Sequence, residues 1–202
     1  MPRVVDVLKF GGTSVGDGRR IAGVADLVAA RKASAPLVVV SAMGGITDAL
    51  LALSKAARGR DRTAADEALK RIGDRHLAAV DALELAADDA AACRSEVARE
   101  LVRLSDLSTG VSLLAELSPR TADSIAAAGE LLSSRLVLAA LRKKGVDAVL
   151  IDPRELIPTD ATFGAAVPDE AGIAARARHM LLPEIALGRV VVTGGFLGAA
   201  PD

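Results

Sequence analysis

Along the chain, short continuous runs of apolar residues alternate with segments in which apolar residues recur at helical spacing. This alternation predicts strands separated by helices. Short apolar runs, each indicating a buried strand, occur at residues 4–10, 36–40, 146–152 and 189–196. Helical spacing of apolar residues occupies the segments between them, at residues 19–32, 46–57, 121–144 and 170–187. Val-rich strands that alternate with helices are typical of a mostly parallel sheet covered on both faces. The sequence therefore predicts an α/β fold, a three-layer α/β/α sandwich.

A long helical segment interrupts this alternation. Residues 63–117 are continuously helical in character, with one apolar stripe from Leu69 to Leu83 and another from Val97 to Leu114. We interpret this part of the chain, at about 55–120, as a helical insertion within the α/β fold. Its charged beginning, residues 58–75, has alternating signs and is predicted to be a solvated helical face.

Composition argues against nucleic-acid and membrane partners. The chain of 202 residues has a formal net charge of −1 and contains only 1% aromatic residues, so it lacks both a basic stripe and base-stacking side chains. Its continuous apolar runs are shorter than the roughly 20 residues that cross a bilayer. Asp6 interrupts the N-terminal apolar stretch before it could form a secretory signal. We therefore expect a cytoplasmic location, with which the single cysteine agrees.

The two histidines and the cysteine are predicted to have no chemical role. His76 lies on an apolar helical stripe, and His179 stands beside Met180 in another predicted helix. Both are expected to be structural or solvent-facing. Cys93 lies in an Ala-rich helical region and is expected to be an inert small side chain.

Paired glycines mark the ends of the predicted strands. Three of the four strands meet such a pair at their carboxyl ends, at Gly11–Gly12, Gly44–Gly45 and Gly194–Gly195. Ligands of parallel sheets bind outside these ends. Glycines leave backbone N–H groups accessible, and a following helix adds partial positive charge, a combination that suits phosphate. Lys9 stands directly before the first turn and adds a full positive charge.

The glycine turns match neither of the commoner phosphate motifs. A Walker A loop would require Lys where Asp17 stands, and the spacing of a dinucleotide-binding turn is absent at all three positions. The pattern alone thus indicates a nucleotide-phosphate protein of a less familiar kind.

Five successive motifs resemble the aspartate kinases, members of the amino acid kinase family. They occur in that family's order and span the whole chain as KFGGTSV (9–15), VVSAMGGITDAL (39–50), AGELLSSRL (128–136), IDPRELIPTDATFG (151–164) and VVTGGFLG (191–198). The resemblance implies phosphorylation of the side-chain carboxylate of L-aspartate by ATP, with Mg²⁺, at the entry to lysine, threonine and methionine synthesis. It also implies a parent enzyme that is a homo-oligomer.

The resemblance assigns roles to particular residues. Contact with the transferring phosphate, with Lys9 as the catalytic cation, is implied for Lys9, Phe10, Gly11, Gly12 and Ser14. Contact with aspartate is implied for Ser41, Gly45, Thr47, Glu130 and Phe196, where Glu130 matches the acidic residue that binds the substrate's α-ammonium. For Thr47 the residue pattern leaves a second possibility, that it is the N-cap of a helix. No metal ligand is assigned to the chain.

The family's next motif, TTLGRGGSD, does not occur within the 202 residues. We therefore expect residues 1–202 to be the amino-terminal, aspartate-binding lobe of the kinase domain, truncated before the nucleotide-binding lobe and inactive alone. Two alternatives stay open. The chain could belong to another amino acid kinase, such as one acting on glutamate, or be a non-catalytic module that binds aspartate or a nucleotide.

Overall fold

The structure, a computed structural model, describes residues 5–201. Its strands are β1 (Val7–Phe10), β2 (Leu37–Val40), β3 (Ala148–Leu150) and β4 (Val190–Gly194). Its helices are α1 (Gly18–Ala29), α2 (Ile46–Arg58), α3 (Arg62–Ala82), α4 (Ala87–Leu114), α5 (Pro119–Ala126), α6 (Ala128–Lys143), α7 (Pro153–Leu156) and α8 (Glu170–Ala186). A short 3₁₀ turn, Lys32–Ser34, precedes β2.

The four strands form one parallel sheet in the order β1-β2-β4-β3. The last strand in sequence therefore lies between β2 and β3, and all five of its residues are buried. The edge strands β1 and β3 are more exposed. Because the strands are parallel, the glycine turns that follow β1, β2 and β4 lie at the same end of the sheet, as the sequence predicts.

Helices cover both faces of the sheet. Val38 and Val40 contribute to the larger core, which also contains side chains of α1, α2 and α6. Val191 belongs to a smaller core on the other face, with Leu181 and Ile185 of α8. Alternate residues of a strand point to opposite faces, so the two cores follow from the period of two in the apolar runs. The predicted three-layer α/β/α fold is confirmed.

The predicted insertion contains α3 and α4. Ile72 of α3 and Leu104 of α4 are completely buried, and both belong to the same core as Ile21 of α1 and Val38 of β2. The long helices thus extend the larger core outwards from the α1–α6 layer. They are separated by Leu83–Ala86, where the sequence predicted a continuous helical segment.

Several predicted boundaries differ from the observed ones. The strand predicted at 4–10 is observed at Val7–Phe10, and its first residue, Val4, lies outside the described residues. The ladder extends one residue beyond that assignment, since Asp6 O accepts from Leu37 N at 2.9 Å. Likewise, the strand predicted at 146–152 is observed only as β3, Ala148–Leu150. Its hydrogen bonding continues one residue further, because Ile151 N donates to Val192 O at 2.9 Å.

The helix predicted at 121–144 is observed as α5 and α6. Ser118 begins α5 because its side chain accepts from Thr121 N at 3.1 Å, and Pro119 suits the first turn. Ala127 joins the helices with φ −58° and ψ −24°, still helical values. The stretch predicted as turns, 153–169, contains the short helix α7, which Asp152 caps.

Helices α5 and α6 together are long and apolar enough to cross a membrane by length and composition alone. The apolar runs did not indicate this stretch because Glu130 and Arg135 interrupt it. In the structure, 67% of its most apolar window is buried. The stretch therefore has the burial of a core helix of this fold.

Candidate functional site

The loop after β1 is held by its own backbone and by one side chain from α1. Gly11 O accepts from Ser14 N at 2.8 Å and from Val15 N at 3.3 Å, and Val15 is completely buried. Arg20 Nη1 donates to Thr13 O at 2.7 Å. The loop is therefore tightly folded, while the N–H groups of Gly11 and Gly12 have no hydrogen-bond acceptor among the described residues.

The loop after β2 runs beside the first loop. Ser41 N donates to Phe10 O at 3.0 Å, and Ser133 Oγ of α6 donates to Ser41 O at 2.7 Å. Gly45 has φ 79°, a value that glycine adopts without strain, and it is the N-cap of α2. Thr47 lies in the first turn of α2 and is exposed. The alternative that Thr47 is the N-cap is therefore wrong.

Ala42 is the point at which the β1 loop, the β2 loop and α6 meet. A Cβ atom on Gly12 would lie 3.0 Å from Ala42 O, and a Cβ atom on Gly129 would lie 2.6 Å from Ala42 Cβ. Glycine is required at Gly129 because any side chain there would overlap the loop. The close approach places the start of α6 directly against the strand ends.

Glu130 is the buried carboxylate of this region. Its residue surface is 8% exposed, and a Cβ atom on Gly194, at the end of β4, would lie 3.2 Å from Glu130 Cβ. Burial raises the pKa of Glu130, and hydrogen bonds from the backbone N–H groups of Ala42 and of Glu130 itself oppose that rise. A buried carboxylate at the strand ends is a suitable partner for a ligand cation.

Lys9 and Phe196 contact each other above the sheet end. The Lys9 ammonium lies 4.7 Å from the centroid of the Phe196 ring, within cation–π range. Phe196 is 83% exposed and has φ 58°, a left-handed conformation that is strained for a phenylalanine. Lys9 is exposed on the face of β1 opposite to Phe10, which packs against the larger core. The side chain of Phe10 is half-buried there.

The structure brings most of the predicted site residues to one end of the sheet. Lys9 and Phe196 are in contact, and Glu130 lies against the loop that contains Ser41 and Gly45. The predicted site residues that are exposed at this end are Lys9, Gly11, Ser14, Gly45, Thr47 and Phe196. The placement agrees with a shared site, while the individual roles stay predictions.

Arg75 is a residue that the sequence analysis did not connect with the site. Its Nη2 donates to Gly16 O at 2.8 Å and to Gly44 O at 3.1 Å, so it bridges the two glycine loops. Arg75 ends the charged stretch 58–75, which was predicted to be a solvated face. Arg75 is exposed, in agreement with that prediction, but its guanidinium also donates to two loop carbonyls, which the charge pattern did not indicate. The available signal was its position directly before His76, which lies on the buried stripe of α3.

The model of the amino acid kinase family matches residues 5–202. The chain belongs to the amino acid kinase family. Within it, the chain is 35% identical over 193 residues to the lysine-sensitive aspartokinase 3 of Escherichia coli K12, an alignment that covers 96% of this chain and 40% of the relative. It is 28% identical over 197 residues to a chloroplastic bifunctional aspartokinase/homoserine dehydrogenase 2 of Arabidopsis thaliana, covering 97% of this chain and 21% of the relative.

A solved structure of this family has the same fold. It is the E. coli aspartokinase III in complex with aspartate and ADP, with a TM-score of 0.87 and 35% identity. The match covers 98% of this chain and 42% of that chain. This family member therefore spans less than half the length of the E. coli proteins it matches.

Proposed function

We propose that this chain is the amino-terminal, aspartate-binding part of an aspartate kinase. The parent transfers the γ-phosphoryl group of ATP to the side-chain carboxylate of L-aspartate. The observation that carries the proposal is the buried Glu130 carboxylate at the strand ends, beside the glycine loops. Its support is that a structure with the same fold at 35% identity holds aspartate and ADP.

Glu130 is proposed to bind the α-ammonium of aspartate. An ammonium beside a buried carboxylate replaces the water that the carboxylate has lost, and the pair is then stronger than it would be at the surface. A hydrogen bond from the backbone of Ala42 lowers the pKa of Glu130 and so favours the ionised form that an ammonium requires. Ser41, Gly45 and Thr47 line the neighbouring loop, and Phe196 covers the sheet end, so all four are proposed to contact aspartate.

Lys9 and the first glycine loop are proposed to contact the transferring phosphoryl group. The N–H groups of Gly11 and Gly12 lack acceptors within the described residues, as a site for phosphate oxygens requires. Ser14 adds an exposed hydroxyl. The half-buried side chain of Phe10 packs against the larger core, and the backbone of Phe10 is proposed to contact the phosphoryl group.

The reaction needs no catalytic base on this chain. The side chain of free aspartate has a pKa of about 4 and is ionised at neutral pH, so its oxygen is already a nucleophile. A bond forms between that oxygen and the γ-phosphorus, and the bond to the leaving ADP breaks. The chain's own contribution is to orient aspartate and to place the Lys9 charge where negative charge develops.

The remaining parts of the proposal extend beyond the described residues. Within residues 5–201 no group of three or more His, Cys, Asp or Glu side chains is arranged to hold a metal ion, and Mg²⁺ is proposed to enter with the phosphates of ATP. We propose that a further lobe supplies the rest of the nucleotide site. A homo-oligomeric parent and a cytoplasmic location stay predictions, and the plant relative named above is chloroplastic.

The proposal is tested by calorimetric titration of the 202-residue chain with L-aspartate. Glu130→Gln is expected to bind aspartate about ten- to a hundredfold more weakly, because a charge-assisted hydrogen bond is lost. Glu67→Gln, which changes an exposed carboxylate of α3, is the matched control and is expected to bind as the original chain does. Succinate, which lacks the ammonium, is expected to bind weakly to all three.

The pH dependence gives a second measurement. Because burial raises the pKa of Glu130, the folded chain keeps the carboxyl protonated to higher pH than an exposed glutamate would. An ammonium ligand requires the ionised form, so aspartate affinity should rise with pH through that raised pKa, and binding should release protons. Equal affinity of Glu130→Gln, or tighter binding of L-glutamate than of L-aspartate, would contradict the proposal.

A further inference from the structure

Helix α3 contacts both glycine loops through a single guanidinium group. Arg75 Nη2 donates to Gly16 O, 59 positions earlier, and to Gly44 O, 31 positions earlier. The two acceptors are neighbours, because a Cβ atom on Gly44 would lie 3.7 Å from Gly16 Cα and 3.4 Å from Gly12 O. One nitrogen therefore reaches the end of the β1 loop and the beginning of α2 at the same time.

The backbone of α3 is fixed close to this point. A Cβ atom on Gly18, the first residue of α1, would lie 2.5 Å from Ala79 O, and Ala79 is one turn after Arg75. His76, the next residue, is completely buried. Arg75 thus extends from a packed part of the helix, although the residue itself is exposed.

The two carbonyl contacts determine where the adjoining N–H groups point. The described residues contain no cis peptide, and in a trans peptide the carbonyl and the following N–H point in opposite directions. With Gly44 O directed at Arg75, the Gly45 N–H points away from α3, and with Gly16 O directed at Arg75 the same holds for Asp17 N–H. Neither of these N–H groups has an acceptor within residues 5–201.

We propose that Arg75 is a positioning residue of this site: it holds the β1 loop and the β2 loop in one relative orientation, so that the free N–H groups of both loops face one shared site. The identity of the ligands, aspartate and ATP, rests on the proposed function. The bridging of the loops does not. Arg20 holds the β1 loop alone, through Thr13 O, whereas Arg75 connects it to the second loop.

Hydrogen exchange measured by NMR tests the bridge directly. The reporters are the bonded amides of Ser14 and Val15 in the first loop and of Ile46 at the second. In Arg75→Ala all three are expected to exchange about tenfold faster, because a hydrogen bond from a charged donor is lost. The amide of Val192 in the central strand is expected to keep its rate, which separates loop release from a loss of global stability.

The controls are chosen on the same helix. Arg71→Ala removes an exposed guanidinium one turn earlier and is expected to leave all four rates unchanged. Arg75→Lys keeps a cationic donor and is expected to restore most of the protection. Unchanged rates in Arg75→Ala, or faster exchange in one loop alone, would overturn the bridge.

Ligand binding then tests the positioning role. Arg75→Ala is expected to weaken both L-aspartate and Mg·ATP by about tenfold at a temperature where the variant is fully folded, and Arg75→Lys to recover most of that affinity. Undiminished affinity for both ligands would overturn the role. If the original chain binds neither ligand, the proposed function is contradicted for this chain, and the exchange rates still decide whether Arg75 bridges the loops.

Discussion

The strand ends and the helical insertion differ in how their sequence relates to their role. At the strand ends, glycines and a single lysine form motifs that are short and specific. In α3 and α4, charged residues and alanines form amphipathic helices with no motif, yet α3 carries the arginine that connects the two glycine loops. The comparison teaches that a site can depend on a region whose own sequence indicates only a solvated helix.

The glycines of the molecule have two different uses. Gly45 is needed for a positive φ, which begins α2 beside the site. Gly18 and Gly73 instead permit close packing, since a Cβ atom would lie 2.5 Å from Ala79 O and 2.9 Å from Leu101 Cδ1, respectively. The first kind shapes a loop for a ligand, and the second brings the insertion against the rest of the fold.

The largest expected effect tests whether the insertion shares the core of the sheet. Leu104→Ala removes a completely buried side chain of α4 and should lower the free energy of unfolding by about 2–5 kcal/mol. Val102→Ala, at a position that is 61% exposed on the same helix, should change it by less than about 0.5 kcal/mol. Urea unfolding followed by circular dichroism measures both. Separate transitions for insertion and sheet would show that the shared core does not unfold as one unit.

A smaller effect is expected where α3 meets the start of α1. Gly18→Ala places a methyl group against the backbone of Ala79 and should destabilise the fold by about 1–3 kcal/mol. Gly23→Ala, in the same helix but with no atom within 4 Å of the added Cβ, should stabilise it by about 0.5–1 kcal/mol. Chemical denaturation gives both values. Equal changes in the two variants would mean that α3 is not held at this contact.

The smallest effect concerns pH and the buried face of α3. Burial, with a contribution from Arg75, lowers the pKa of His76 from its ordinary 6.5, and a bond between Nδ1 and Ile72 O opposes this. The unfolded chain therefore binds the proton more readily, so stability should fall as pH drops below about 6.5 towards the lower folded value. Thermal unfolding of His76→Leu should lack this slope, while His179→Leu, at an exposed position, should keep it.

The same pH series tests whether His76 is the group responsible for the loss of stability at acid pH. His76 has no partner at Nε2 within the described part of the chain, and the structure assigns it to the core of the insertion. Its expected structural role is compatible with the observed burial. A slope that persists in His76→Leu would assign the acid sensitivity to another group.

The sequence by itself determined the order of strands and helices, the parallel sheet and the candidate glycine loops. These follow from local rules, because the period of apolar residues reports burial and paired glycines report an accessible backbone. The motif resemblance placed Lys9 and Phe10 together at the phosphate, and only the structure showed that their side chains lie on opposite faces of β1. The motif resemblance supplied Glu130 and Phe196, which no local pattern would have distinguished from a surface carboxylate and a core aromatic residue.

Only the tertiary structure decided which distant residues meet. The position of β4 between β2 and β3 places Gly194 beside Glu130. The packing of α3 on α1 and α2 places Arg75 between Gly16 and Gly44. Such contacts join positions 31 or more apart, and a charged residue on an amphipathic helix has the same local pattern whether it faces water or a carbonyl. The physical reason is that hydrophobic periodicity determines which side of a helix is buried. Which groups the polar residues beside that buried side contact depends on how all the elements pack together.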